Sequence, residues 1–134
     1  MKKSGRPHKK LLVWQKSMDL IEQIYRVTKT FPEEERYGLV SQMRRAAISM
    51  ATNIAEGAAR QTVKEATQFF FISRGSMSEL DTQLEIAKRL GFLDAEQHDA
   101  MISDLEQVSA LMNGLISHKQ ASSSPHHLVT SSLT

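Results

Sequence analysis

The groups in this 134-residue chain best equipped for chemistry are five histidines, a run of three glutamates and several paired basic residues. A structural or catalytic metal site needs three or more convergent ligands. His8, His118, His126 and His127 lie in the terminal stretches. His98 has Glu96 and Asp99 beside it but no second histidine at helical spacing. The adjacent pair His126 and His127 would take up metal only adventitiously. Glu79, Asp81 and Glu85 share one helical segment, but the Glu-x-x-His repeats of di-iron bundles are absent. No Gly-rich phosphate loop, nucleophile elbow or dinucleotide fingerprint occurs. Cysteine is absent, which excludes disulfides, thiolate catalysis and cysteine-ligated metals. The expectation is no catalytic residue, no cofactor and no metal, although a bundle can assemble a site from scattered residues.

Phosphate binding is the chemistry that survives. Arg44 and Arg45, Arg60 and Lys64, and Arg74 are basic positions within the body of the chain. Arg60 and Lys64 are four apart and would line one phosphate-binding face if an oligomer brought copies together. No aromatic stacking platform interleaves with these positions, so single-strand base recognition draws little support from them. Ser49, Asn53, Glu56 and Arg60 recur at steps of four, three and four, a polar ladder beside an alanine-rich stripe. Glu56 stands before Arg60 in the favourable order for a helical ion pair. Asn53 is costly within a helix unless its amide is bonded, which predicts a structural hydrogen-bond network.

These residues must be positioned by helices. Hydrophobic residues form 40% of the chain and charged residues 24%, an ordinary globular balance, with only 3 prolines and 6 glycines to interrupt long helices. The length allows one domain and one core. The net charge of +2 divides unevenly. Lys2, Lys3, Arg6, Lys9 and Lys10 give residues 1–10 a local +5, leaving 12 basic against 15 acidic side chains in residues 11–134. The pI near 9.0 is therefore the arm's property rather than the body's. Such an arm can bind phosphate by itself. Leu11–Trp14 is too short for a signal-peptide core or a membrane span, and the expected location is cytoplasmic.

Residues 1–10 and 117–134 lack helical periodicity and are predicted to be disordered. Four periodic blocks lie between them. The first, about 11–30, carries Leu11, Trp14, Met18, Ile21, Tyr25 and Thr28 at alternating steps of three and four, with Leu20, Ile24 and Val27 widening the stripe into a broad core face. Phe31-Pro32 closes it, and the glutamates at 33–35 read as a solvated turn before the next helix, where negative charge is favoured. The second, about 38–59, has the stripe Leu39, Met43, Ala46, Ala47, Met50 and Ile54. The third, about 62–90, begins at a capping box of Thr62 and Glu65 and follows the seam Ala66, Phe70, Ser73, Met77, Leu80, Leu84 and Ala87. Gly75 within it costs roughly 0.5–1 kcal/mol relative to alanine, which predicts compensation by close packing. The fourth, about 94–116, starts at Asp94 with Gln97 three residues on, and its seam is Met101, Leu105, Val108, Met112 and Leu115. Short loops make successive helices antiparallel, giving an all-α, up-and-down four-helix bundle.

Phe69, Phe70, Phe71 and Ile72 are consecutive and point around most of a helix, whereas a bundle core consumes one side. Surplus apolar side chains such as Phe69, Phe71 and Ile72 suggest a partner surface, and the expectation is self-association, which usually takes a symmetric form. The alternative is a phenylalanine covered by a chain tail.

Between Trp14 and Leu93 the sequence also carries a resemblance. The segments are 14–20 (WQKSMDL), 42–49 (QMRRAAIS), Asn53-Ile54-Ala55-Glu56-Gly57 with Arg60, Gly75-Ser76-Met77-Ser78-Glu79-Leu80, and Leu90-Gly91-Phe92-Leu93. Together they resemble the four-helix-bundle family named for proteins encoded in intervening sequences of bacterial 23S ribosomal RNA genes. Ala51 departs from the pattern, since proline is frequent at that position in the family. The resemblance implies that Trp14, Ser49, Asn53, Glu56, Gly57, Gly75, Ser76 and Glu79 have structural roles, and that the chain is a subunit of a closed ring, commonly a homopentamer. A related protein, the accessory variability protein of diversity-generating retroelements, implies association with nucleic acid and a protein partner.

The leading expectation is a non-enzymatic homo-oligomeric adaptor or scaffold with weak RNA or DNA binding through its basic clusters. A purely protein-binding oligomeric module is the alternative, and an unrecognised enzyme the third reading.

Overall fold

Local chemistry at the helix ends sets the architecture. In the computed structural model, which describes residues 6–122, α1 spans Leu12–Thr28, α2 Leu39–Ala58, α3 Val63–Arg89 and α4 Ala95–Ser122. Before α2, the carboxylate of Glu35 accepts a hydrogen bond from the Leu39 amide at 3.2 Å, and Glu33 pairs with Arg36 at 3.1 Å. The glutamate run thus supplies negative charge to a helix start. Thr62 caps α3 by accepting from the Glu65 amide at 3.1 Å. The fully reciprocal capping box is at α4, where Asp94 accepts from the Gln97 amide at 2.7 Å and the Gln97 side chain accepts from the Asp94 amide at 3.0 Å. α3 stops at Gly91, whose φ of 82° suits glycine alone. The Phe92 amide reaches the Ala87 carbonyl and the Gly91 amide reaches Lys88, closing a Schellman motif.

Contacts run α1 to α2, α2 to α3, α3 to α4 and α4 back to α1, while the backbones of the diagonal pairs stay apart. The chain is therefore an up-and-down four-helix bundle. Leu20 and Ile24 of α1, Met43, Met50 and Ile54 of α2, Phe70, Leu80 and Leu84 of α3 and Met112 of α4 are fully buried at its centre. Phe31 and Phe92, with ring centroids 5.4 Å apart, close the end where α1 passes to α2.

The α2–α3 contact is the most extensive. A Cβ at Gly57 would lie 2.5 Å from the Phe70 ring and 2.8 Å from the Ala66 carbonyl oxygen. Ser73 donates to the Met50 carbonyl at 2.7 Å, and Ser76 donates to the Ser49 hydroxyl at 2.8 Å. The Asn53 amide donates to Ser49 on the same helix, at 2.9 Å to its carbonyl and 3.1 Å to its hydroxyl. The predicted polar network is thus present, and it fastens α2 to α3 through serine hydroxyls.

Three expectations need correction. The core face of α1 is Val13, Ser17, Leu20, Ile24 and Thr28, so Leu20, Ile24 and Thr28 of the expected broad stripe are core while Val13 and Ser17 replace its other edge. The regular set around Trp14, Met18, Ile21 and Tyr25 lies on a half-exposed edge toward α2. The two buried hydroxyls are accommodated by bonds to carbonyls one turn back, Ser17 to Val13 at 2.8 Å and Thr28 to Ile24 at 2.7 Å. Gly75 is exposed, with nothing within 4 Å of an added Cβ, so the close-packing glycine is Gly57. At the termini, Pro7–Lys10 forms a 3-10 turn packed on α1 and α2, with His8 edge-on to Trp14 at 5.0 Å and Gln15 donating to the Lys9 carbonyl. Likewise α4 continues to Ser122 because Ile116 is still core and no helix breaker follows before Pro125. Lys2, Lys3, His126, His127 and the rest of 123–134 lie outside the described residues.

Candidate nucleic-acid interface

The five predicted basic contacts do not form one patch. Arg44 and Arg45 sit near the start of α2, and Arg60 lies just beyond its end, roughly 20 Å away at about 1.5 Å per residue. Arg60 pairs with Glu56 at 2.7 Å and covers the Phe69 ring at 4.6 Å. Lys64 is exposed on the first turn of α3. Arg74 lies over Phe71 at 5.0 Å and donates to Asn113 of α4 at 3.1 Å. The surplus phenylalanines are thereby resolved: Phe70 is core, while Phe69 and Phe71 each carry a guanidinium lid. Phe71 and Ile72 still stay 43% and 52% exposed.

Arg44 and Arg45 belong to a better-formed site that also uses the α1–α2 connection. Arg44 reaches across to the C-terminal turn of α1. It donates to the Thr28 hydroxyl at 3.0 Å and the Tyr25 carbonyl at 3.3 Å, and its guanidinium lies 4.4 Å from the centre of the Tyr25 ring. A cation at a helix C-terminus and over an aromatic face is favourable on both counts. One turn before α2, Arg36 approaches the ring of Tyr37 at 5.8 Å. Tyr37 itself is 87% exposed.

Tyr25, Arg36, Tyr37, Ser41, Arg44 and Arg45 enclose an open groove of about 430 Å³, floored by Val40 and Ile48. Three arginines and two tyrosines line it, and no carboxylate does. Arg45 makes no ion pair among the described residues. Arg36 and Arg44 also border a second, smaller hollow of about 220 Å³ that adds Lys29 and the carboxylate of Glu33, the ion-pair partner of Arg36. The expectation that aromatics would not interleave with the basic residues is overturned here. Tyr25 comes from the preceding helix and Tyr37 from the turn, so neither lies within the Arg44-Arg45 sequence neighbourhood. The available signal was the turn: an aromatic after three glutamates and an arginine, in a segment with no call on the core.

Other polar groups have local roles. Glu79 is exposed and accepts from Gln83 at 3.3 Å, and Trp14 is half-buried under His8. His98 is buried between α3 and α4, its ring nitrogens 3.4 Å from Glu85 and 3.2 Å from Asp99. The Nε2 approach to Glu85 lacks hydrogen-bond geometry, so the pair is a charge proximity only. Arg89, hydrogen-bonded to Glu85 at 2.9 Å, holds that carboxyl below its ordinary value. Among the described residues no three His, Asp or Glu side chains gather as a metal site, and no helix is long and apolar enough to cross a membrane.

Comparison with known proteins agrees with this architecture. A crystal structure of a protein of unknown function from the S23 ribosomal protein family of Bacteroides thetaiotaomicron superposes with a TM-score of 0.73 at 22% identity, covering 78% of this chain and 98% of that one. That likeness bears on the fold alone. No curated protein matches the chain. The family model described as 23S rRNA-intervening sequence protein matches residues 9–114, including α1 to α3, most of α4 and the α1–α2 groove. The chain belongs to the 23S rRNA-intervening sequence protein family.

Proposed function

We propose that the chain is a non-enzymatic, self-associating adaptor of the cytoplasm that holds nucleic acid through its basic clusters. The observation that carries this reading is the α1–α2 groove, where three arginines converge without a lining carboxylate. The body bears net negative charge, so affinity depends on where its cations stand rather than on their sum.

Self-association draws support from two apolar areas on different faces. One is the outer face of α3, with Phe71, Ile72 and Ile86 exposed around Gly75. The other is the α1–α2 edge, where Met18 and Ile48 are 37% and 44% exposed beside half-buried Trp14 and Ile21. α1 and α3 are diagonal in the bundle. Two unlike patches on separate faces favour head-to-tail contact, which closes a ring, over a single self-complementary dimer patch. A homopentamer, implied by the family resemblance, is one such ring.

The test is equilibrium binding of full-length protein to labelled RNA and to duplex DNA across a salt series. The wild type is compared with a double variant, Arg36→Gln with Arg45→Gln. The expected result is a log-affinity that falls steeply with log salt, with the slope shallower in the variant by about 1–2 as one or two phosphate contacts are lost. Identical curves for the two proteins would sink the groove as the interface. Binding no stronger than that of a charge-matched peptide would move the search to protein partners. For assembly, light scattering showing only a 15.1 kDa particle would overturn the ring.

A further inference from the structure

A groove built only to hold duplex phosphates needs cations and nothing else. This one contains two aromatic rings, and their placement is specific. Tyr37 is 87% exposed, yet it sits in an ordered turn anchored by Glu35 to the Leu39 amide and by the Arg36–Glu33 pair. Its ring contributes nothing to the core. Arg36 approaches it at 5.8 Å, which leaves most of the ring surface open. Across the groove, the Tyr25 ring is held by Arg44 at 4.4 Å, and the rigid bonds of Arg44 to Thr28 and to the Tyr25 carbonyl fix that wall in place. Arg45 stands at the rim without an ion pair among the described residues.

Resting on the nucleic-acid reading above, we infer that the α1–α2 groove is a site for an unpaired nucleotide of single-stranded RNA, its base stacked on Tyr37 and its flanking phosphates held by Arg45 and Arg36. The charge complementarity is one-sided: the lining carries three guanidinium groups and no carboxylate. A planar base with an adjacent phosphodiester is the ligand that uses both the rings and the cations. In a duplex the base faces are covered by their neighbours, so the tyrosines would have nothing to stack on. The hollow beyond Arg36 and Arg44 holds the carboxylate of Glu33 as well as Lys29, so the carboxylate-free lining is confined to the groove itself. Ser41 lines the groove and supplies an uncharged hydroxyl, as does the Tyr37 phenol. A ribose 2′-hydroxyl, both donor and acceptor, is the sugar group able to use them.

The experiment measures affinity of the full chain for a fluorescent 12-nucleotide single-stranded RNA, the same RNA as a perfect duplex, and the single-stranded DNA of the same sequence. The proteins compared are the wild type, Tyr37→Ala, Tyr37→Phe and Arg45→Gln. Because the Tyr37 side chain is solvent-exposed, its removal leaves the bundle intact, and circular dichroism of each variant verifies this. Loss of one base–aromatic stack is expected to weaken single-stranded RNA about 5- to 100-fold. Tyr37→Ala should leave the duplex within about twofold, Tyr37→Phe should retain the stacking, and the DNA strand should bind more weakly than RNA. Arg45→Gln should weaken all three ligands and flatten the salt dependence.

If Tyr37→Ala leaves single-stranded RNA affinity unchanged, or lowers the duplex by the same factor, the stacking site is overturned. The nucleic-acid reading then stands or falls separately, on Arg45→Gln. Equal affinity for RNA and DNA strands overturns the ribose assignment. Preferential capture of an acidic peptide of the same charge over the RNA overturns the site and the nucleic-acid reading together.

Discussion

Replacing Gly57 by alanine sets two effects of opposite sign against one another. Removing a glycine from a helix gains up to about 1 kcal/mol from backbone entropy, and less near a helix end. Gly57 is the penultimate residue of α2, so this gain is at its smallest. Against it, the new methyl would lie 2.5 and 2.7 Å from two carbons of the Phe70 ring and 2.8 Å from the backbone oxygen of Ala66. Phe70 is fully buried and the Ala66 carbonyl belongs to the first turns of α3, so neither can retreat without displacing a helix. Overpacking of this kind costs about 1–3 kcal/mol. The net expectation is a loss of about 1–2 kcal/mol, or a urea midpoint lower by about 0.5–1 M for a slope near 2 kcal/mol/M. Gly75→Ala is the internal control, because its methyl meets open space in the middle of α3 and should raise the midpoint slightly. Far-UV circular dichroism and Trp14 fluorescence at two protein concentrations provide the assay, since a stabilising assembly makes the midpoint concentration-dependent. A Gly57→Ala protein as stable as the wild type would refute the claim that α2 and α3 are locked in contact there.

Further substitutions test the other joints. Thr62→Ala removes the cap on the α3 start and should cost about 1 kcal/mol by urea unfolding. Ser73→Ala breaks the buried bond from α3 to the Met50 carbonyl, with an expected loss of about 0.5–1.5 kcal/mol. Met18→Glu and Ile72→Glu, on the two separate apolar faces, should each dissociate the assembly in light scattering while leaving helicity unchanged. Glu85 has a carboxyl held below its ordinary value by the Arg89 hydrogen bond, so its contribution is present above about pH 4.5 and lost as pH falls through the depressed value. Glu85→Gln should therefore differ from wild type in urea midpoint at neutral pH and converge with it in acid.

The third and fourth helices were legible because their apolar positions repeat along one face: Ala66 through Ala87 in α3, and Met101 through Met112 in α4, are buried as the spacing predicts. α1 was legible only in part, because two faces compete: Leu20, Ile24 and Thr28 of its broad stripe are core, whereas Val13 and Ser17 were not in it. The visible set of Trp14, Met18, Ile21 and Tyr25 is more apolar than the true core face, which includes Ser17 and Thr28 with hydroxyls turned back onto their own helix. Sequence spacing cannot reveal that such hydroxyls are satisfied locally and hence admissible to a core. Nor can it tell Gly57 from Gly75, since only the arrival of Phe70 from the next helix makes one indispensable and the other open.

The groove shows the same limit from the functional side. Arg44 and Arg45 were identified from charge, but Arg44 is spent on the end of α1 and Arg45 alone projects without a partner among the described residues. What turns an arginine pair into a candidate site is the turn after α1, which returns Arg36 and Tyr37 to the start of α2. Its sequence advertises only acid, through Glu33–Glu35, and two of those carboxylates act locally: Glu35 on the Leu39 amide and Glu33 on Arg36. Glu33 offsets the charge of Arg36 in doing so, which leaves Arg44 and Arg45 as the groove cations without an ion pair among the described residues. The position of Ile48, shared between groove floor and apolar edge, places the site at the margin of a proposed subunit contact. Ring closure there would repeat the cationic groove once per subunit, and a flexible single strand could then engage several copies at once. Binding should accordingly tighten with strand length until it spans neighbouring grooves, a dependence that a dissociated Met18→Glu variant would lose.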